Sequence, residues 1–377
     1  MASLSGRYVI AGIGATPFGK LPGRDTVSLN VEACREALAD AGIEKSVVDA
    51  VLVKVPTSAH QFMYGLKVTE ALGIQPKIGG AWDQGGAANI TLLSFAIMAI
   101  EAGQCDVALV CYADNPRSGS RAHYGRPRGD DALYGWFSTA AGYAMIHRRH
   151  VIEHGTPPEA FGAVALAARR HAAGNPNAQL RKPLTMDEYL ASPWVVDPLR
   201  RDDCALVSDG GAALVVMSEK RARELGVPAP VPVLGFGHGQ TAFELSQRPT
   251  LTSTEARRAA ATAFAMAGAR PEDVDVAQLY DCFTITVLMT LEDYGFCRPG
   301  ESGAFVADGG IVHGGRLPIN TSGGLLSETG MPGLQLVMEG VRQMRGSARL
   351  QVPGAKLCCI SNQGGTMHTH ATLLLGN

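Results

Sequence analysis

The sequence predicts an α/β protein made of two similar halves, each reading strand, helix, strand, glycine-led helix, strand. Three observations carry that expectation. An Ala-Gly pair, five residues and Val-Asp occur twice, in AGIEKSVVDAVLV from Ala41 and in AGARPEDVDVAQLY from Ala267. Each copy follows an Ala-rich amphipathic helix, NVEACREALAD or TEARRAAATAFAM, and runs into a short apolar stretch. Gly85-Gly86 and Gly323-Gly324 each precede a second helix and then a second apolar strand. Two such halves imply two sheets packed through helices, with the glycine-led helices meeting near the middle.

The elements follow in order. RYVIAGIG near the N-terminus reads as the first strand. The helix over NVEACREALAD stops at Gly42, and its counterpart stops at Gly268, because a helix end takes the left-handed backbone most cheaply at glycine. The apolar runs AVLV and VAQLY are short buried strands of a parallel sheet covered on both faces. ANITLLSFAIMAIEAG after Gly86 is the glycine-led helix of the first half, followed by the strand CDVALVCY. GLQLVMEGVRQMRG and AKLCCIS repeat that order in the second half. GAALVVMS closes the first half, so the expected division is 1–220 and 221–377. Between CDVALVCY and GAALVVMS lies an insertion, about 115–201, with 12 Lys and Arg against 7 Asp and Glu. Its net charge of +5 within a chain of −2 suits a phosphate-bearing ligand or a solvated face equally.

Composition narrows the function classes. The chain has 377 residues, 46% hydrophobic and 18% charged, enough to bury a large core unaided. A net charge of −2 lacks the basic excess of a nucleic-acid binder, and no apolar run reaches the length of a membrane span. MASLSGRYVIAGIG has neither the charged start nor the apolar stretch of a signal peptide. Eight cysteines with no CxxC pair point to free thiols in a reducing, cytoplasmic setting, with no metal site expected. GIGATPFG lacks the third glycine of a dinucleotide fingerprint.

Several longer phrases carry a resemblance. DPLRRDDCALVSDGGAALVVMS, LYDCFTITVLMTLEDYGFC, GGRLPINTSGGLLSE and the final Gly-Gly resemble, in order along the whole chain, the thiolase superfamily. The likeness is nearest to its sterol-carrier-protein type and lipid-transfer-like relatives. It implies a five-layer αβαβα fold with an inserted loop domain, a homodimer, and a coenzyme A thioester as substrate with no covalently bound cofactor. Some relatives pair with a small zinc-ribbon/OB-fold partner protein.

Departures from the family pattern matter as much. Thiolases present a cysteine at the N-terminus of the first glycine-led helix, where helix dipole and N–H groups favour a thiolate. Matching the helix end to Ala102-Gly103 places that nucleophile position at Gly86, within WDQGGAANI, which contains no cysteine. The family's Gly-His-Pro histidine falls at Gly330, and its second cysteine near Ser361 or Asn362. Tyr280-Asp281-Cys282-Phe283 stands where the sterol-carrier type has His-Asp-Cys-Phe. Lipid-transfer-like members with this Tyr-Asp-x-Phe-Thr phrase are steroid side-chain aldolases, and their resemblance makes Tyr280 the candidate for handling a hydroxyl proton. Their second tyrosine, in Glu-Ala-Tyr, is missing from Glu328-Thr329-Gly330.

The tail GGTMHTHATLLLG places His368 and His370 on alternate positions, which on a strand face one side. His370 matches a histidine of some acyltransferase relatives and is a candidate general base or oxyanion donor. His60, in VPTSAHQFMYG, is a further catalytic candidate, and Tyr124, His147, Asn320 and Asp281 are supporting candidates. His150, His154 and His171, on Arg-rich helical stretches, read as a solvated face. The expected function is C–C cleavage of a CoA thioester, retro-aldol in type, without an acyl-cysteine. The alternatives are an acyltransferase with an atypical nucleophile, such as Cys282, and a non-catalytic subunit of an acyltransferase complex.

Overall fold

The computed structural model describes residues 4–121, 129–331 and 333–377. The first half contains β1 (Tyr8–Ala15), α1 (Thr26–Ala41), β2 (Ala50–Lys54), α2 (Tyr64–Leu72), β3 (Ile78–Trp82), α3 (Ala88–Glu101) and β4 (Val107–Asp114). The insertion carries α4 (Thr139–His154), α5 (Pro158–Ala172), α6 (Met186–Leu190) and the small hairpin β5 (Trp194–Val196) and β6 (Leu199–Arg200). β7 (Gly210–Ser218) and α7 (Glu219–Glu224) follow. The second half has β8 (Val231–Gln240), α8 (Ala256–Ala267), β9 (Val276–Gln278), α9 (Thr284–Asp293), α10 (Ser302–Ala307), α11 (Gly324–Ser327), α12 (Leu334–Met344), β10 (Leu357–Gly364) and β11 (Thr369–Gly376).

The duplicated phrase does the same work twice. Gly42 and Gly268 end α1 and α8 with φ of 68° and 65°. The Val-Asp aspartates then tie down the next strand of each half. Asp49 accepts the N–H groups of Asp106 and Val107 at the start of β4, and Asp275 accepts those of Lys356 and Leu357 at the start of β10.

Two separate sheets are expected, and the strands instead form one hydrogen-bonded sheet of nine in the order β3-β2-β4-β7-β1-β8-β11-β10-β9. The join is narrow: β1 meets β8 over Tyr8–Val233, Val9–Pro232 and Ile10–Val231. Backbone groups on the free side of β1 would otherwise be buried unpaired, and this short ladder satisfies them.

Side-chain alternation along the strands builds the layers. Val9 and Ala11 of β1 pack with α1 and α2 in one core, while Tyr8 and Ile10 face a central core. The central core holds α3 (Ile90, Leu93, Ile97) and α12 (Leu334, Val337, Val341) between the two halves of the sheet. Leu374 and Cys359 of the second half face a third core with α8 and α9. Three helical layers around two half-sheets make a five-layer αβαβα fold.

Two details differ from the expectation. The Gly323-Gly324 pair opens only the single turn α11, whose Leu325 and Leu326 N–H groups bond the Asp281 carboxylate; α12 begins after Gly333. The insertion, interrupting the first half in sequence, packs Tyr143, Ile146, Phe161 and Val164 against Ile285, Leu288 and Met289 of α9 in the second half.

Replacing Asp49 or Asp275 by Ala removes a carboxylate from paired backbone N–H groups. Each substitution is expected to cost about 2 kcal/mol, and the two costs to add in the double variant because the sites are far apart. Denaturant unfolding measures both; a double-variant loss well below the sum contradicts independent duplicate roles.

Candidate active site at the first glycine-led helix

Tyr280 follows β9, and Asn362 and Gln363 end β10, so all three stand at the C-terminal ends of neighbouring parallel strands. Open α/β sheets put their ligand crevices at such strand ends. The N-terminus of α3 arrives at the same place. A β-carbon on Gly86 would overlap the Tyr280 hydroxyl oxygen and the Gln363 carbonyl oxygen, and would lie 2.6 Å from Tyr280 Cζ. The volume a side chain at Gly86 would occupy is thus filled by a phenol and a carbonyl.

Tyr280 is held from both sides. Its N–H donates to Ser361 Oγ at 3.0 Å, and its carbonyl accepts from Thr286 Oγ1 at 2.7 Å. Asn320, at a left-handed φ of 49°, clamps the preceding residue: Oδ1 accepts from Leu279 N at 2.7 Å and Nδ2 donates to Leu279 O at 2.9 Å. Asp281 is fully buried, and burial pushes its carboxyl up to about 6 against the N–H groups of α11. Asn320 and Asp281 therefore position the Tyr280 loop.

Asn362 is buried with neither amide atom bonded among the described residues. It lies against Gly333, where α12 begins, and a β-carbon on Gly333 would also come within 2.9 Å of Asn89 Nδ2 on α3. The starts of both central helices and an unpaired amide thus converge beside Gly86. Gly330, the position of the missing histidine or tyrosine, has no room for a side chain: its β-carbon would overlap the Leu206 carbonyl.

The remaining candidates lie elsewhere. Gln363 and His370 are cross-strand partners and by alternation face away from Asn362. Burial drives His370 down to about 3, so it is neutral, and its Nε2 has no partner among the described residues. His368 is not on the strand with it. Its ring lies in the preceding turn, where Nδ1 accepts from Thr366 N at 2.7 Å, Nε2 lies 2.6 Å from the Phe243 carbonyl and the ring stacks on Phe243. The expected side-by-side pair is therefore corrected, because the turn after Gly365 delays β11 to Thr369. His60 is exposed on a loop after β2. His147 is buried, stacked on Phe161 at 3.8 Å, and pushed down to about 3 by burial. Tyr124 lies outside the described residues.

Sequence reading passed over Gln363 and Tyr143. Gln363 Nε2 contacts Cys282 Sγ at 3.3 Å, and the Tyr143 hydroxyl donates to Gly365 O at 2.7 Å while its ring stacks on Phe283. These contacts join residues 81 and 222 positions apart, and no local pattern announces them. Burial raises the Cys282 thiol to about 12, despite hydrogen bonding with Tyr143 and Gln363. At neutral pH it is a thiol rather than an acyl-accepting thiolate.

Residues 237–377 match the family model described as thiolase C-terminal domain-like. The chain is similar to a steroid side-chain-cleaving aldolase of Thermomonospora curvata, 38% identical over 92% of this chain and 93% of that protein. The chain belongs to the thiolase superfamily. A 17-hydroxy-3-oxo-4-pregnene-20-carboxyl-CoA lyase of Mycobacterium tuberculosis is 37% identical over 99% of this thiolase-superfamily chain and 100% of its own length. A solved structure titled Ltp2-ChsH2(DUF35) aldolase superposes with a TM-score of 0.90 at 36% identity, covering 100% of this chain and 99% of that one. A sterol carrier protein 2 of Gallus gallus, 31% identical over 96% of this chain and 70% of its own length, shares the sterol-carrier-protein-type branch with it.

Buried Glu328 offers a pH test of this region. Burial pushes its carboxyl up to about 7, opposed by the Ser322 hydroxyl at 2.6 Å and raised further by nearby Glu339. The folded chain then holds a proton that the unfolded chain releases near its ordinary value of about 4.3, so stability falls as pH rises between the two. Glu328→Gln is expected to shrink the drop in melting midpoint between pH 5 and pH 8. An unchanged drop contradicts the raised carboxyl.

Proposed function

We propose that this protein cleaves a C–C bond of a β-hydroxyacyl-CoA thioester by a retro-aldol reaction, without an acyl-cysteine. The observation that carries this reading is the Tyr280 hydroxyl filling the space over Gly86. Two-step acyl transfer needs a nucleophile, and at that position there is room for none. The similarity to an aldolase and a CoA lyase over nearly the full chain supports the same reaction class.

The chemistry balances within one molecule of substrate. The β-hydroxyl proton leaves, the Cα–Cβ bond breaks, and its electron pair enters the thioester as an enolate. Protonation at Cα then releases a shorter acyl-CoA and a ketone or aldehyde, so a single proton is relocated. Tyr280 is the group placed to move it, and His370, on the opposite face, stands outside this step. The enolate oxygen needs donors in place before the bond breaks; losing one such donor costs about 100- to 1000-fold in rate. The unbonded Asn362 amide and the N-terminus of α3, whose dipole favours negative charge, meet that need.

The CoA handle is assigned to the insertion. An open cavity of about 700 Å³ there is lined by Tyr134, Trp136, Met145, Arg148 and Arg149, an apolar surface with two guanidinium groups that a phosphate-bearing tail would draw from their carboxylate partners Asp197 and Glu153. A homodimer through the sheet edge is part of the same reading. β3 is an edge strand, with Phe62, Met63, Leu66 and Trp82 exposed around it, an arrangement monomers avoid. A small zinc-ribbon/OB-fold partner and a cytoplasmic location complete the proposal. Among the described residues no helix is long and apolar enough to cross a membrane.

Tyr280→Phe is expected to lower cleavage of a β-hydroxyacyl-CoA by about 100- to 10,000-fold while leaving CoA-ester affinity within a few-fold. Coupled detection of the released carbonyl compound and binding calorimetry measure the two. Turnover close to wild type removes Tyr280 from this role. A stoichiometric thioester found by mass spectrometry on any cysteine makes the protein an acyltransferase instead.

A further inference from the structure

We propose that His150, His154 and Glu292 form a binding site for a divalent metal ion of the zinc class, and that the ion pins the inserted helix α4 to α9 of the second half. His150 and His154 are four residues apart on α4 and share one face of it. Glu292, in the last turn of α9, meets that face, and one ligand atom from each of the three residues lies within 4.8 Å of the others.

The distances favour a cation over a simple hydrogen bond. His150 Nε2 and Glu292 Oε1 are 3.4 Å apart, long for a hydrogen bond. Two ligands at about 2.1 Å from a tetrahedral metal stand about 3.4 Å from each other. His154 is partly exposed in the final turn of α4, with a ring nitrogen within 4.8 Å of the other two ligand atoms. Two imidazoles and a carboxylate leave a fourth position for water, a donor set that suits zinc.

Outer contacts are already in place. Thr156 Oγ1 lies 3.1 Å from His150 Nδ1 and, by accepting its proton, leaves the Nε2 lone pair facing Glu292, as second-shell groups of metal-bound histidines do. Ser302 Oγ donates to Glu292 Oε1 at 2.6 Å. The other oxygen, Oε2, is buried and unpartnered, and no Lys or Arg pairs with Glu292 among the described residues. A buried carboxylate so placed calls for a positive charge.

The ion would act on architecture. Eight residues of helix separate Glu292 from Thr284 at the start of α9, about 12 Å along the axis from the end near Tyr280, outside the proposed reaction centre. Pinning α4 there stabilises the wall that carries Met145, Arg148 and Arg149.

The test uses the full-length protein, stripped with EDTA and titrated with zinc chloride in a calorimeter, with cobalt(II) absorption as a second readout. The wild type is expected to bind one zinc per chain, show the intense visible bands of tetrahedral cobalt, and melt at a higher temperature with zinc. His154→Ala, at a partly exposed position, is expected to weaken zinc at least about 100-fold and abolish the cobalt bands while keeping the wild-type melting temperature without zinc. Thr156→Val is expected to weaken it about 10- to 100-fold. Absence of stoichiometric zinc in the wild type, or equal affinity in His154→Ala, overturns the site and leaves His150 and Glu292 as an internal contact without a metal. Neither readout depends on turnover, so this outcome is separate from that of the cleavage assay.

Discussion

No side chain fits between Gly86 and the Tyr280 ring, and the proposed cleavage reaction turns on that exclusion. The helix α3 points its N-terminus at the spot, where a thiol would be acidified and aimed at an incoming acyl group. A phenol delivered from β9 takes the place instead. The exclusion is maintained from outside: Asn320 grips both backbone groups of Leu279, Asp281 anchors the loop to α11, and Ser361 holds the Tyr280 N–H.

The duplicated architecture makes the exclusion possible. Each half ends its first helix on a left-handed glycine and anchors its next strand with an aspartate. The narrow β1–β8 ladder then sets the halves against each other, and α3 and α12 share the central core with their starts converging. A site formed from one half alone would have either the helix terminus or the tyrosine. Their meeting requires both.

The insertion is more than a cover. Interrupting the first half in sequence, it packs on α9 of the second, and so stands between the helix that follows Tyr280 and the surface that carries arginines and exposed aromatics. Its histidines illustrate how environment overrides pattern. HRRHVIEH reads as a solvated basic face, yet His147 and His150 are buried because α4 turns that face toward Phe161 and Glu292. Charge density along a segment indicates an exposed helix only when no partner helix claims the other side.

By itself the sequence determined the element types around the duplicated phrase, the helix stops at Gly42 and Gly268, the family, and the absence of a cysteine from the stretch around Gly86. These are local or repeated features, written in spacing and in the absence of a cysteine from a short stretch. Tertiary structure alone decided that one sheet rather than two runs through the molecule, that α12 starts at Gly333, and that His368 turns back on Phe243 while His370 faces away from Asn362. It alone joined Tyr143, Gln363 and Cys282, and brought His150 to Glu292. Such contacts link residues scores to hundreds of positions apart, and their geometry follows from how whole layers pack, a quantity no short window of sequence contains.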